Sequence, residues 1–556
     1  MGAPSDRPRE ARRPPAALRR AGRALALPRG ELLPVLAAGM LFGVAFPPHA
    51  LVGPAFLCVA PVAAIVARRA DAGRGAGGSL RATGWFALVG HALTLWWIAP
   101  ALALVTAAAP LLAAVVVLGM ALVVAATFGW GLHALRRATG GWPLAVLVPA
   151  AWVAGEWVLA HLGDLRFPWL PLALALTPVP TLAQVADLSG VHGASALVAL
   201  VNGAAADAWL ALRGDPTPRR PRAARSLALA AAAVAATWTY GRWRESTLPL
   251  VALGDVVAVQ PDIAQTAKLV DGSETRAIGR LLALTREDGR ERRSAGASAP
   301  LFAAWPETAL DGPLLAHPDW RDSLRAAARA QGAPVLAGVI DVEPRDADHL
   351  TLYNAVLLTD RTGEVRAAPY RKRYLVPVVE RVPFVDPAWL PDVPWLGGFG
   401  RGGVPEPFVV DPARPDVRVG VIVCYESVFG EAARVLRERG ATLLVNATND
   451  AWFGRTDAPW QHAAHLVLRA IETRAGVVRV GNSGPSAFVD PLGREHGRTP
   501  LFTARVVRYP VVTSTLPAPY VRLGDWLGAL AAAATIAALT VDRVRVARQR
   551  GRAPRR

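Results

Sequence analysis

The sequence predicts a polytopic α-helical membrane domain of eight transmembrane helices joined to an α/β layered domain. Two observations predict it. Of 556 residues, 53% are hydrophobic and only 19% charged, which is too apolar for an ordinary soluble enzyme, and the apolar residues gather in runs of the roughly 20 residues that cross a bilayer. Between two of those runs lies a long stretch in which β-branched segments alternate with helical patterns, as in layered α/β folds.

The eight runs fall near 31–47, 51–67, 82–99, 103–130, 142–160, 191–212, 226–241 and 524–541. Their connecting loops alternate in arginine content. Arg12, Arg13, Arg19, Arg20 and Arg23 precede the first run, and Arg68, Arg69, Arg74 and Arg81 join the second to the third. Arg136 and Arg137 join the fourth to the fifth, Arg213, Arg219, Arg220, Arg222 and Arg225 the sixth to the seventh, and seven arginines from Arg543 to Arg556 follow the eighth. The positive-inside rule puts all these clusters and both termini in the cytoplasm, and the stretch between the seventh and eighth runs on the other face. The expected division is a basic tail (1–30), seven helices (31–244), an extracytoplasmic domain (245–520), and an eighth helix with a basic cytoplasmic tail (521–556). The first helix is expected to stay uncleaved, because no small-residue cleavage site closes it. Prolines 168, 171, 178 and 180 interrupt 161–190, which predicts a re-entrant or interfacial element.

The formal charge of +18 would suggest nucleic acid in a soluble protein, but 245–520 is close to neutral and the surplus lies in the loops, so no nucleic-acid partner is expected. Within 245–520, strands are expected at 248–260, 299–307, 333–341, 351–359, 417–424 and 441–448, helices over TRAIGRLLALTRE and EAARVLRERG, and a solvated loop at 289–298.

Three residues stand out chemically. VRVGVIVC runs a strand into Cys424 and EAARVLRERG continues as a helix, a placement that exposes a nucleophile at a sheet edge. A buried core cysteine is the competing reading, and Tyr425 and Glu426, polar neighbours of the thiol, weigh against it. Glu307 ends WPE, where Pro306 fixes the backbone before a carboxylate that could act as base; a solvated loop acid is the plain alternative. Lys268 and Lys372 are the only lysines among 61 basic residues, and an ammonium at Lys372 could donate to an oxyanion in a way that a planar guanidinium cannot. Alone it would read as part of a basic patch. Asn446, Asn449, Asp450 and Trp452 could form a wall beside the thiol, but the structural reading, turn formers after a strand, is favoured, and His462 reads as a structural histidine. Neither a His/Cys cluster at metal spacing nor a phosphate loop is visible, so no metal and no cofactor are expected.

The order Glu307, Lys372, Cys424, in the contexts WPE, YRK and CYE, resembles the nitrilase superfamily. FGVAFPP (42–48), EWV with FPW (156–169), ADLSGVHG (186–193), LVPVVERVP (375–383), NATNDAWFG (446–454), PWQH (459–462), RAIETR (469–474) and GNSG (481–484) narrow the resemblance to the apolipoprotein N-acyltransferase family. The resemblance implies a nitrilase-like α-β-β-α sandwich, with Glu307 as base, Lys372 as oxyanion donor, Cys424 as nucleophile, and Glu380, Tyr425 and Glu426 supporting them. It also implies a phospholipid acyl donor, a diacylglyceryl apolipoprotein acceptor, membrane lipids as surroundings, a monomer, and the bacterial inner membrane with the catalytic domain periplasmic. A membrane-tethered amide hydrolase and a non-catalytic membrane scaffold are the alternatives. The chain departs from the family pattern at Val378 and Val379, where Phe-Gly is common, and at Leu269, where a tryptophan is expected.

Overall fold

The computed structural model describes residues 26–214, 220–266, 273–314, 317–345, 350–365, 367–385 and 398–551. Lys268, Leu269, Arg219, the arginines from Arg12 to Arg23, and Arg552, Arg555 and Arg556 lie outside the described residues.

A helix stands at each of the eight apolar runs. Among the described residues, five helices are long and apolar enough to cross a membrane: Val52–Asp71, Ala109–Ala138, Leu144–His161, Val191–Leu212 and Trp526–Arg548. The other three, Arg29–Ala45, Gly77–Thr94 and Arg220–Thr247, are shorter or less apolar. Val191–Leu212 packs against Leu144–His161 and Arg220–Thr247, and the C-terminal helix returns to Leu144–His161. Close approach needs small residues here. A Cβ on Gly203 would collide with the Leu144 carbonyl, the arrangement by which small side chains let apolar helices pack backbone to backbone.

Between the fifth and sixth of these helices the prolines break 161–190 into short turns, Gly163–Leu165, Leu172–Leu176, Pro180–Ala183 and Ala186–Ser189. Leu172–Leu176 is wholly buried.

The α/β half has thirteen described strands: β1 (Leu250–Gln260), β2 (Phe302–Ala304), β3 (Leu310–Pro313), β4 (Val335–Pro344), β5 (Leu350–Leu358), β6 (Tyr370–Arg371), β7 (Phe408–Val409), β8 (Arg418–Val423), β9 (Leu443–Thr448), β10 (Gly476–Gly481), β11 (Ala487–Val489), β12 (Glu495–His496) and β13 (Arg505–Ser514). One sheet runs β13-β1-β2-β4-β5-β6 with β3 beside β4, and the other β12-β11-β10-β9-β8-β7. Alternation along each strand sorts the side chains. Val256, Ala258, Phe302 and Leu336 of the first sheet share a core with Val421, Val423, Val445 and Val478 of the second. Val257, Val259, Ala303 and Trp305 point the other way, onto Leu281 of helix Ser273–Ser294 and Trp320 and Leu324 of helix Pro318–Gln331. From the second sheet, Ile422, Leu444 and Val477 pack on Leu436 of helix Gly430–Glu438 and Leu466 and Ile471 of helix Ala458–Thr473, in a core that continues into Trp169 and Leu172 of the helical half.

All six expected strands form, with shifted ends. The loop expected at 289–298 is helical as far as Ser294, because Arg292 reaches back to the Ala297 and Gln331 carbonyls, at 3.0 and 2.8 Å, and holds the last turn against its neighbour. The strands β3, β6, β7 and β10 to β13 are additions to the sequence reading.

Polar side chains lock the two halves together. Gln461 accepts from the indole N–H groups of Trp97 and Trp169 at 3.1 and 2.8 Å and donates to the Thr94 carbonyl. Arg474, fully buried, donates to Gln184 at 2.6 Å and Asp187 at 2.7 Å.

Candidate active site

Cys424 begins where β8 ends and opens a short 3-10 turn, Cys424–Val428. Its backbone lies in the left-handed region, at φ +47°, which side-chain-bearing residues avoid unless their surroundings enforce it. The enforcing contacts fall on its carbonyl, which accepts from His462 Nε2 at 2.9 Å and from Asn446 Nδ2 at 3.4 Å. The other ring nitrogen of His462 bonds Asp450 at 3.0 Å, and Asp450 also pairs with Arg479 and accepts from Thr448. His462 is therefore a structural residue, as its sequence setting suggested. Cys424, Asp450 and His462 also form a buried group whose side-chain donor atoms lie within 4.8 Å of one another. His462 Nε2 donates to the Cys424 carbonyl, Nδ1 faces Asp450, and Arg479 occupies the other oxygen of Asp450, so these side chains are already partnered within the protein.

Glu307 follows β2 after Trp305 and Pro306, with its carboxylate buried. The turn passes so close over β4 that a Cβ on Gly338 would strike the Pro306 carbonyl and Glu307 Cα. Lys372 follows β6, its backbone N–H bonded to the Asn354 carbonyl at 2.8 Å. With its side chain only 1% exposed, Lys372 Nζ lies 3.2 Å from Glu307 Oε1 and 2.9 Å from Glu380 Oε1. Asn354 Nδ2 donates to the same two oxygens at 2.7 and 2.9 Å. The outer oxygens are held by backbone amides, Asn449 N–H to Glu307 at 2.9 Å and Val376 N–H to Glu380 at 2.8 Å. One ammonium between two carboxylates is the centre of the site.

Burial alone would push the Lys372 ammonium down, but Glu307 and Glu380 hold it well above the usual lysine range. Burial and then the charge of Glu307 push the Cys424 thiol up, against a smaller pull downward from Lys372. Burial and Glu307 thus favour the thiol form of Cys424, and Glu307 with Glu380 favours the ammonium form of Lys372.

Glu426 and Tyr425 act at longer range. Glu426, fully buried, accepts from the Tyr370 hydroxyl and Val423 N–H, both at 2.7 Å, and from the N–H groups of Arg373 and Tyr374 at 2.7 and 3.1 Å. It ties the turn after Cys424 to the segment that bears Lys372. Tyr425 donates its hydroxyl to the Arg166 carbonyl at 2.8 Å, and its ring stacks beside Phe167 and Trp169. Asn354 was missed in the sequence, although an asparagine amid the apolar residues of a strand is itself a signal.

Residues 38–204 match a family model described as the apolipoprotein N-acyltransferase N-terminal domain, and residues 302–518 match the carbon-nitrogen hydrolase model. A curated apolipoprotein N-acyltransferase of Geobacter metallireducens is 29% identical over 93% of this chain and 96% of its own. Those of Bradyrhizobium diazoefficiens and Agrobacterium fabrum are 32% and 30% identical, over 72% and 74% of this chain and 73% and 76% of theirs. The chain belongs to the apolipoprotein N-acyltransferase family. It is thus an acyltransferase of bacterial membranes with a nitrilase-like domain, and Glu307, Lys372, Glu380 and Cys424 all lie within the segment matched to the hydrolase model. Arg166, Phe167 and Trp169, which meet Tyr425, lie within the segment matched to the family's N-terminal model.

Proposed function

We propose that the protein transfers a fatty acyl chain from a membrane phospholipid, through a thioester on Cys424, to the α-amine of a diacylglyceryl-cysteine at the N-terminus of an apolipoprotein. The pairing of Glu307 with Lys372, whose charges both act on the Cys424 thiol at a strand-to-turn junction with a left-handed backbone, carries this reading. In the first half-reaction Glu307 takes the thiol proton as sulfur attacks the ester carbonyl, and Lys372 donates to the developing oxyanion. Collapse of the tetrahedral intermediate breaks the ester C–O bond, the lysophospholipid leaves with the proton from Glu307, and the acyl group stays on sulfur. In the second, the acceptor amine attacks the thioester, Glu307 receives its proton, and the thiolate recovers a proton as the amide forms.

Because the resting thiol is protonated, proton removal and attack belong to one step. Glu380 shares the Lys372 ammonium and keeps it oriented when Glu307 becomes neutral. Glu426 positions the Lys372 segment, and Tyr425 joins the nucleophile turn to the membrane side. The aromatic wall of Phe167, Trp169 and Tyr425 favours a lipid-fed transferase over a hydrolase that admits water.

The same proposal includes eight membrane spans in the inner membrane, both termini cytoplasmic, and a four-layer α-β-β-α domain over 245–520 on the periplasmic side. The arginine-rich loops and the two sheets flanked by helices support it. The boundaries 1–30, 31–244, 245–520 and 521–556, the monomer and the lack of a nucleic-acid partner belong to it too. Mass spectrometry of the protein incubated with phospholipid tests the reading. An acyl adduct on Cys424, released by a diacylglyceryl-cysteine peptide and lost in Cys424→Ser, is expected; a folded protein that never acquires the adduct would refute it.

A further inference from the structure

A second pocket, open and polar with about 820 Å³ of empty space, lies between the loop before Trp169 and the segment after Lys372. Three guanidiniums reach it. Arg401 is matched by Asp164 at 2.5 Å, and Glu431 is occupied by the Tyr374 hydroxyl at 2.8 Å. Arg166 and Arg373 have no carboxylate partner among the described residues. Arg166 Nε donates to the Gly163 carbonyl at 2.9 Å, which fixes its plane, and its guanidinium lies 5.2 Å from the centre of the Tyr374 ring. Arg373 lies 5.7 Å from the centre of that ring. Two partly buried cations held around one tyrosine, neither in contact with a carboxylate, make a site for an anion, because the three guanidiniums of the lining outnumber its two carboxylates, Asp164 and Glu431.

We propose that this pocket takes the phosphate of the donor phospholipid's head group, with Arg166 and Arg373 as its ligands. The inference rests on the acyl-transfer reading above. A glycerophospholipid carries its phosphate on the same glycerol as its acyl esters, and Arg373 directly follows Lys372. The backbone amide of Arg373 is pinned to Glu426, two residues beyond Cys424. A phosphate held there places an ester of the same molecule toward the lysine and the thiol. The rim suits a lipid as well: Phe384 is 72% and Leu165 52% exposed, and the Phe384 amide is bonded to Asp164 inside the pocket. Guanidinium pairs recognise the phosphodiester itself, so the site selects for a phosphate and not for one particular head-group alcohol.

The test is Arg166→Gln/Arg373→Gln in the full chain, in detergent, following acylation of Cys424 by phosphatidylglycerol and by p-nitrophenyl butyrate, an ester without phosphate. The expected result is a KM for phosphatidylglycerol raised about tenfold or more, the loss of one strong charged contact or greater, with kcat nearly unchanged and the p-nitrophenyl reaction within about twofold of wild type. Inorganic phosphate should compete with phosphatidylglycerol in the wild type. An unchanged KM would overturn the proposal, and so would equal losses with both donors, which would make the arginines structural. Protection of the wild type against heat by inorganic phosphate, lost in the variant while KM stays the same, would mean a free-anion site and would also overturn it. A wild type acylated by neither donor would instead refute the acyl-transfer reading itself.

Discussion

The Glu426 carboxylate accepts the backbone N–H of Arg373 at 2.7 Å, across 53 residues of chain. A residue two positions beyond the nucleophile thereby fixes the residue next to the lysine. Glu426→Gln keeps the shape but turns an amide donor toward backbone N–H groups, which can only donate. Leaving one or two buried donors unsatisfied costs roughly 2 to 4 kcal/mol, so thermal unfolding should fall by several degrees and Cys424 acylation should drop with it. Tyr370→Phe, which removes one of the four bonds, should be milder in both measurements.

Lys372→Arg should inactivate almost as fully as Lys372→Ala. The ammonium is 1% exposed and lies within 3.2 Å of two carboxylates, a space that a planar guanidinium cannot enter without moving both. Loss of an oxyanion donor is expected to slow acylation at least about a hundredfold. Wild-type acylation by folded Lys372→Arg would remove Lys372 from the mechanism.

The raised thiol of Cys424 gives an alkylation prediction with opposite signs at two positions. A raised pKa means less thiolate at any given pH, so in a Cys58→Ala background iodoacetamide should react more slowly than with a free cysteine throughout pH 7 to about 9. Glu307→Gln removes a charge that pushes the thiol up, and should speed alkylation while abolishing acyl transfer. Lys372→Met removes the charge that pulls it down, and should slow alkylation. Equal alkylation in all three would mean that neither charge reaches the sulfur.

Asn354→Leu should leave both carboxylates without their shared amide donor. We expect a loss of about 1 to 3 kcal/mol in stability and a lower kcat, because Glu307 and Glu380 are then aimed only by Lys372 and by one backbone amide each. An unchanged rate at saturating donor would show that the ammonium alone orients them.

How far the sequence revealed the fold depended on local signals. Apolar runs and β-branched strands announced themselves, as did Cys424 at a strand end and Glu307 after a proline. β13 escaped because Pro510 sits in its middle; it is an edge strand, paired only with β1, where a missing N–H is tolerated. β10 was hidden behind the GNSG motif that follows it. In the site, the charges were legible, but what aims them was not. Asn354 and the Asn449 amide act through distances that only the two sheets create, and no spacing along the chain encodes a backbone N–H turned toward Glu307.

Arg474 adds a consequence for how the molecule comes into being. Its guanidinium is sealed from solvent and finds its acceptors in Gln184 and Asp187, residues made some three hundred positions earlier. A fragment beginning at residue 245 would lose the two side chains that cover and pair this cation, and would bare the apolar face that packs on Trp169 and Leu172. Expressed alone as a water-soluble piece, the α/β half should be recovered as aggregate.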